Sequence, residues 1–162
     1  MTGAYFSSFE PFQNFHLDII KKASILFDTI HVVISVNSQH RKNYNFIDCK
    51  RIITNIILAE GITNCSVELS YDLNIKYCKD YDVNYIIRGF KEKTDVQSEL
   101  ELMAINKAID KRVNTLFLTS DYPYISSNRL IDLVRNGIDA TNYIPKEYFD
   151  YMVVQESKKE SS

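Results

Sequence analysis

The sequence lacks the marks of several protein classes. Its three cysteines, Cys49, Cys65 and Cys78, are odd in number and form no CxxC pair, which argues against a disulfide framework or a zinc site and for reduced thiols in a cytoplasmic protein. No apolar run approaches the roughly 20 residues of a membrane span, and no basic segment followed by an apolar core suggests a secretory signal. The net charge of −2 shows no basic bias, so neither a membrane nor a nucleic-acid partner is expected.

What is present is apolar content arranged in alternating patterns. Apolar residues make up 45% of the 162 residues, enough for the core of one domain. The β-branched run Ile-His-Val-Val-Ile-Ser-Val is typical of a buried parallel strand. The predicted strands are 4–6, 30–36, 65–69, 84–87 and 115–119, and the predicted helices are 14–27, 46–60, 73–81, 95–110, 126–135 and 144–154.

This alternation predicts an α/β fold: a doubly wound, Rossmann-like parallel sheet of about five strands with helices on both faces. Residues 1–154 form the predicted domain. The polar, aromatic-free residues 155–162 are expected to form a flexible tail.

The segment Ala4-Tyr5-Phe6-Ser7-Ser8-Phe9-Glu10-Pro11-Phe12-Gln13-Asn14-Phe15-His16 places a small-residue turn between a strand and a helix that opens with His16. Free backbone N–H groups and the helix dipole both favour an anion at such a position. The stretch therefore predicts a phosphate site.

Other polar segments follow the later strands, and in parallel sheets the ligand lies at the carboxyl ends of the strands. The segments are His40-Arg41-Lys42, Tyr71-Asp72-Leu73-Asn74, Arg88-Gly89-Phe90-Lys91 and Tyr122-Pro123-Tyr124-Ile125-Ser126-Ser127-Asn128. Their cations, hydroxyls and helix N-termini predict a polyanionic ligand, such as a triphosphate together with a second phosphate.

Together these motifs resemble the nucleotidyltransferase superfamily, and most closely the phosphopantetheine adenylyltransferases, over residues 4–148. Ser8, Phe9, Pro11 and His16 match the family's first motif, and Ile87-Arg88-Gly89-Phe90-Lys91 is similar to its Ile-Arg-Gly-Leu-Arg. Further matches come later in the chain, at Glu99, Asn106, Ile125-Ser126-Ser127-Asn128 and Ile144-Pro145-Lys146-Glu147.

The resemblance implies an enzyme that moves AMP from ATP to 4′-phosphopantetheine, with Mg²⁺ accompanying ATP, in a homo-oligomer that is typically a hexamer. His16 and Lys91 are then the catalytic residues. The implied ATP-binding residues are Ser8, Phe9, His16, Gly89, Phe90, Lys91, Glu99, Tyr122, Ser126, Ser127 and Asn128. The implied acceptor-binding residues are Ser8, Asn74 and Arg88 with His40, Arg41 or Lys42 as the loop cation.

Several residues depart from the family pattern. Ser7 and Phe15 replace glycines, Gln13 replaces a threonine, and Glu10 and Lys91 replace an aspartate and an arginine. Phe15 lies on the apolar stripe of its helix with Ile19, so we expect its ring to point into the core, although a ring in the nucleotide pocket is the other possibility. Two alternative functions stay open: a catalytically impaired binding or structural subunit, and a nucleotidyltransferase for another phosphorylated acceptor.

Overall fold

The computed structural model describes residues 1–36 and 43–161. In that part of the chain, five strands alternate with helices before the chain ends in two further helices. The strands are β1 (Thr2–Ser7), β2 (Thr29–Ser35), β3 (Cys65–Ser70), β4 (Tyr85–Phe90) and β5 (Asn114–Thr119). The helices are α1 (Asn14–Leu26), α2 (Phe46–Ala59), α3 (Asn74–Asp80), α4 (Val96–Ile109), α5 (Ser127–Arg135) and α6 (Lys146–Glu160).

All strand pairings are parallel, and the strand order is β3-β2-β1-β4-β5. The order reverses at β1, which pairs with β2 on one side and β4 on the other. The predicted doubly wound α/β fold is therefore confirmed. Because neighbouring strands run in the same direction, Ser7, Ser70 and Phe90 all lie at one edge of the sheet.

The sheet is packed on both faces because successive side chains of a strand point in opposite directions. Tyr5 and Ile87 belong to a large core cluster to which α1, α2, α5 and α6 contribute. Ala4 and Ile86 belong to a smaller cluster that includes residues of α3.

The C-terminal helix is longer than the sequence predicts. The helix was expected to end near Val154 with a flexible tail beyond, but α6 continues to Glu160, so the predicted tail is wrong up to that residue. Its extension is anchored by Glu156, which is 3% exposed. The Glu156 carboxylate accepts hydrogen bonds from Arg135 Nε (2.8 Å) and Tyr44 Oη (2.9 Å).

Strand β4 is also longer than predicted. Arg88 and Gly89 were expected to close the strand after Ile87, whereas both pair with β5 and the strand ends at Phe90. Helix α4 is unusual in that only Asn106 among its residues is buried, while Val96, Leu100 and Ile105 are more than half exposed. Within the described residues, no helix is long and apolar enough to cross a membrane.

Candidate functional site

The turn between β1 and α1 (residues 8–13, here the motif turn) carries an unusual backbone conformation at Phe9. Its φ of 48° lies in the left-handed region, which costs a residue with a Cβ roughly 1–3 kcal/mol. Ser7, which replaces a glycine of the family pattern, stays in the extended strand, and the left-handed conformation falls on Phe9 instead. Phe9 is 1% exposed, so its ring cannot reach a ligand, whereas Ser8 is exposed.

His16 lies in the first turn of α1, buried to 3% exposure. Its Nδ1 accepts a hydrogen bond of 2.9 Å from the backbone N–H of Gln13, which leaves the imidazole proton on Nε2. Nε2 makes no hydrogen bond within the described part of the chain. Burial, with a smaller contribution from the nearby charge of Lys91, lowers the pKa of His16 to about 3. His16 is therefore a neutral imidazole that can donate a hydrogen bond from Nε2.

Aromatic rings surround the imidazole and fix its orientation. Phe12 is stacked on it with centroids 5.8 Å apart, and Phe9 meets it edge-on at 5.1 Å. Phe15 and Tyr124 also approach it in T-shaped geometry, at 5.6 and 6.0 Å. The environment explains why the charged form of His16 is disfavoured: the rings offer it no compensating charge.

Gln13 connects the motif turn to the loop before α5. Its Oε1 accepts a hydrogen bond from the backbone N–H of Ile125 (3.1 Å), and its Nε2 donates to the Ile125 carbonyl (2.8 Å). The amide is 1% exposed, so it holds two chain segments together and does not face the solvent as a phosphate ligand would.

Phe15 adopts the core orientation that the apolar stripe predicts. Its ring is 2% exposed, belongs to the large core cluster with Ile19 and packs edge-on against Tyr124 at 5.4 Å. A Cβ at Gly89 would lie only 2.9 Å from Phe15 Cε1, so the ring rests directly on the backbone of β4. Glycine at this position is required by that close approach.

Two pockets open at the carboxyl edge of the sheet. The first, which we call the α4 pocket, encloses about 940 Å³ and is lined by residues of α3, α4 and the ends of β2, β3 and β4, including Arg88, Asn74, Asn106, Leu102, Ile105 and Ile109. The second, the α5 pocket, encloses about 590 Å³ and is lined by Phe15, Phe90, Lys91, Tyr122, Tyr124, Ser126 and Arg129 among others.

Arg88 and Lys91 bring positive charge to the two pockets. Arg88 forms two hydrogen bonds with Glu99, from Nε (3.2 Å) and Nη2 (2.7 Å). The structure thus pairs two residues that were assigned to different substrates. Lys91 Nζ lies 3.8 Å from the centroid of the Tyr124 ring, a cation–π contact. Burial, and then repulsion from Arg88, lower the pKa of Lys91.

The remaining predicted residues divide into three groups. Gly89 forms the floor under Phe15, and Ser126 is the N-cap residue of α5 at the α5 pocket, although its side chain makes no capping hydrogen bond. Ser127 and Asn128 line neither of the two pockets. His40, Arg41 and Lys42 lie outside the described residues, so their role stays a prediction.

Sequence reasoning missed Arg129 and the apolar wall of the α4 pocket. Arg129 lies in the first turn of α5, one residue beyond the segment that resembles the family motif. The apolar wall consists of Leu102, Ile105 and Ile109. Their spacing in the sequence is that of a helix stripe that faces the core, so the sequence gives no sign that they line a pocket. Their incomplete burial is visible only in three dimensions.

Comparisons with known proteins agree with this geometry. The cytidylyltransferase-like family model matches residues 4–133. Two solved structures share the fold: a proposed nicotinate-nucleotide adenylyltransferase from Vibrio parahaemolyticus (TM-score 0.67, 16% identity, 94% of this chain and 97% of that one) and a bifunctional NMN adenylyltransferase/ADP ribose pyrophosphatase from Francisella tularensis. The match to the Francisella structure has a TM-score of 0.68 at 15% identity and covers 99% of this chain and 50% of the Francisella chain.

Curated relatives narrow the family further. A phosphopantetheine adenylyltransferase from Bifidobacterium animalis subsp. lactis is 32% identical over 90% of each chain. Another, from Alkaliphilus metalliredigens, is 30% identical over 98% of each chain. With the motif turn, the buried imidazole and both pockets in place, the chain belongs to the cytidylyltransferase-like family and, within it, to the phosphopantetheine adenylyltransferases.

Proposed function

We propose that the protein transfers the adenylyl group of ATP to 4′-phosphopantetheine, giving dephospho-coenzyme A and pyrophosphate. The observation that carries this proposal is the arrangement of the two pockets. They lie at the same sheet edge, with Arg88 in one and Lys91 in the other, and the imidazole of His16 packs against Tyr124, the ring that Lys91 contacts. Such an arrangement suits a reaction that joins two phosphorylated substrates.

The α5 pocket is the proposed ATP site. Its accessible aromatic lining, from Phe90, Tyr122 and Tyr124, suits a nucleobase, and Lys91 and Arg129 suit its phosphates. The N-terminus of α5 at Ser126 adds the partial positive charge of a helix start. Ser8 and the backbone of Phe9 complete the proposed contacts from the motif turn.

The α4 pocket is the proposed acceptor site. Arg88 can bind the terminal phosphate, Asn74 and the 8%-exposed Asn106 offer amide groups, and the α4 side of the pocket, with Leu102, Ile105 and Ile109, offers apolar surface. A long arm that combines methylenes with amides fits such a lining. The predicted loop cation from His40, Arg41 or Lys42 would add a second positive charge for the phosphate.

The proposed reaction needs no covalent enzyme intermediate. An oxygen of the acceptor phosphate forms a bond to the α-phosphorus of ATP, and the bond from that phosphorus to the bridging oxygen of the β-phosphate breaks, releasing pyrophosphate. His16 would donate its Nε2 hydrogen bond to the charge that develops on the α-phosphate, and Lys91 would neutralise the departing phosphates. Because the pKa of His16 is about 3, its role is that of a neutral donor at all physiological pH values.

Mg²⁺ is proposed to enter bound to ATP. Among the described residues, no group of three or more His, Cys, Asp or Glu side chains could hold a metal ion. Glu99, the carboxylate that the resemblance assigns to the ATP site, is paired with Arg88. The phosphates would therefore supply most ligands of the ion and protein oxygens few, as is usual for Mg²⁺. The ion would supply charge neutralisation on the phosphates.

We further propose that the protein is a homo-oligomer in the cytoplasm. None of the three cysteines forms a disulfide within the described residues, which fits a reducing compartment. Helix α4 presents Val96, Leu100 and other apolar side chains to solvent in the single chain, a pattern that a second copy would cover. A hexamer is the state that the family resemblance implies.

The proposed activity is tested by incubating the protein with ATP, Mg²⁺ and 4′-phosphopantetheine and measuring dephospho-coenzyme A and pyrophosphate. His16→Ala should lower kcat by roughly 10²–10³-fold, the effect of removing one preorganised donor to a developing charge. His31→Ala is the control, because His31 lies on β2 and contacts Tyr77 away from both pockets. If the wild type binds both substrates without turnover, the protein is better explained as a catalytically impaired binding or structural subunit. If it turns over only with another phosphorylated acceptor, it is better explained as a nucleotidyltransferase for that acceptor.

Phe15→Ala should destabilise the protein by about 3–5 kcal/mol without tightening ATP binding, since the ring fills core volume against Gly89. Chemical denaturation and calorimetric ATP titration measure the two effects. Phe27→Ala, which removes a buried ring at the other end of α1, controls for lost stability alone. Tighter ATP binding in Phe15→Ala, but not in Phe27→Ala, would mean that the ring blocks the nucleotide.

Arg88→Ala should weaken binding of 4′-phosphopantetheine by about 1.5–3 kcal/mol, the range for a hydrogen bond to a charged group. Binding of ATP should change much less. Lys76→Ala is a matched control because Lys76 lines the same pocket but is paired with Asp72 and Asp80. Equal losses in the two variants would show that Arg88 acts only through the overall charge of the pocket.

Light scattering should give a wild-type mass that is a multiple of 18.9 kDa, with about six chains expected from the family resemblance. Leu100→Lys should shift the mass toward one chain, because a charge on α4 would have to be buried in the contact. Leu58→Lys, at a similarly exposed position on α2, should leave the mass unchanged. A wild-type mass of one chain would contradict self-association.

A further inference from the structure

We propose that Tyr148 is a positioning residue for the motif turn and, through it, for His16. This inference rests on the proposed function, which assigns His16 its role in the reaction. Tyr148 lies in the first turn of α6, far along the chain from the motif turn, and is 0% exposed. Its hydroxyl donates a hydrogen bond of 3.1 Å to the backbone carbonyl of Phe9.

Phe9 is the residue at which such support matters most. It holds a left-handed φ of 48° although it is not glycine, so its backbone conformation must be imposed by its surroundings. One constraint is local, a hydrogen bond of 3.3 Å from the Phe9 N–H to Ser7 Oγ. The bond from Tyr148 to the carbonyl is the constraint that comes from outside the turn.

The position of Phe9 is transmitted to the imidazole by direct contacts. The Phe9 ring meets His16 edge-on at 5.1 Å. A second route passes through Phe12, whose ring lies 6.4 Å from that of Tyr148 and is stacked on His16 at 5.8 Å. Both routes begin at Tyr148, and only the first depends on its hydroxyl.

The hydroxyl of Tyr148 is itself held in place. The Cys49 thiol of α2 lies 3.4 Å from the Tyr148 oxygen and, since the single hydroxyl proton goes to Phe9, the thiol is the donor of that pair. The neighbouring Glu10 carboxylate accepts from the N–H groups of Asn43 (2.6 Å) and Tyr44 (2.9 Å). The motif turn is thus contacted by Tyr148 of α6 and by the loop before α2, and Cys49 of α2 contacts the Tyr148 hydroxyl.

Tyr148→Phe tests this role, because it removes the hydroxyl and keeps the ring against Phe12. Tyr151→Phe is the matched control: Tyr151 lies on the same helix, touches the Tyr148 ring at 6.2 Å, and donates its hydroxyl hydrogen bond to Asp48 instead of the motif turn. Hydrogen–deuterium exchange of the peptides that cover residues 8–16 should be faster in Tyr148→Phe than in the wild type and unchanged in Tyr151→Phe. All proteins are compared well below the lowest melting temperature.

Turnover provides the second measurement. In Tyr148→Phe we expect kcat to fall roughly tenfold, the factor for one lost hydrogen bond, while KM for both substrates stays within about twofold. Tyr151→Phe should keep kcat. If Tyr148→Phe only lowers the melting temperature, with exchange and kcat as in the control, the positioning role is wrong. If the wild type shows no transfer, the proposed function fails, and the exchange of residues 8–16 alone decides the inference about Tyr148.

Discussion

The contact between the Phe15 ring and the backbone of Gly89 determines where α1 lies on the sheet. Because Gly89 has no Cβ, the ring can approach β4 to a distance at which any side chain would collide with it. That approach brings the next residue, His16, to the carboxyl edge of the strands. Where the family pattern has glycine next to the histidine, this chain has an aromatic ring and compensates by packing it against the glycine of a different motif.

The same packing decides the chemical form of His16. Five aromatic rings, those of Tyr5, Phe9, Phe12, Phe15 and Tyr124, lie within about 6 Å of the imidazole. A charged imidazole there would lose its hydration without gaining a counter-charge, and Lys91 adds repulsion. The aromatic surroundings therefore disfavour the charged imidazole near neutral pH, so His16 is suited to donate a hydrogen bond from Nε2, as the proposed reaction without a covalent intermediate would require.

The elements that carry strong local signals could be predicted from the sequence, and the elements fixed by distant partners could not. The β-branched run of β2 and the polar segments after each strand are local features, so the parallel sheet and its ligand edge followed from them. The extension of α6 contains the buried Glu156, whose carboxylate is paired with Arg135 and Tyr44 from elsewhere in the chain. The strained residue of the motif turn was missed for the same reason, since Phe9 is held by Tyr148, 139 residues away.

Both cations of the candidate site, Arg88 and Lys91, have partners within the protein that a bound phosphate would replace. In the structure Arg88 is held by Glu99 and Lys91 by the Tyr124 ring. Both contacts are partly open to solvent, and such pairs contribute little net stability, on the order of 1 kcal/mol. A phosphate that accepts charge-assisted hydrogen bonds from the same side chains would outweigh those contacts. In the proposed function, the existing partners would hold each cation at its pocket before the ligand binds, which would reduce the conformational entropy lost on binding.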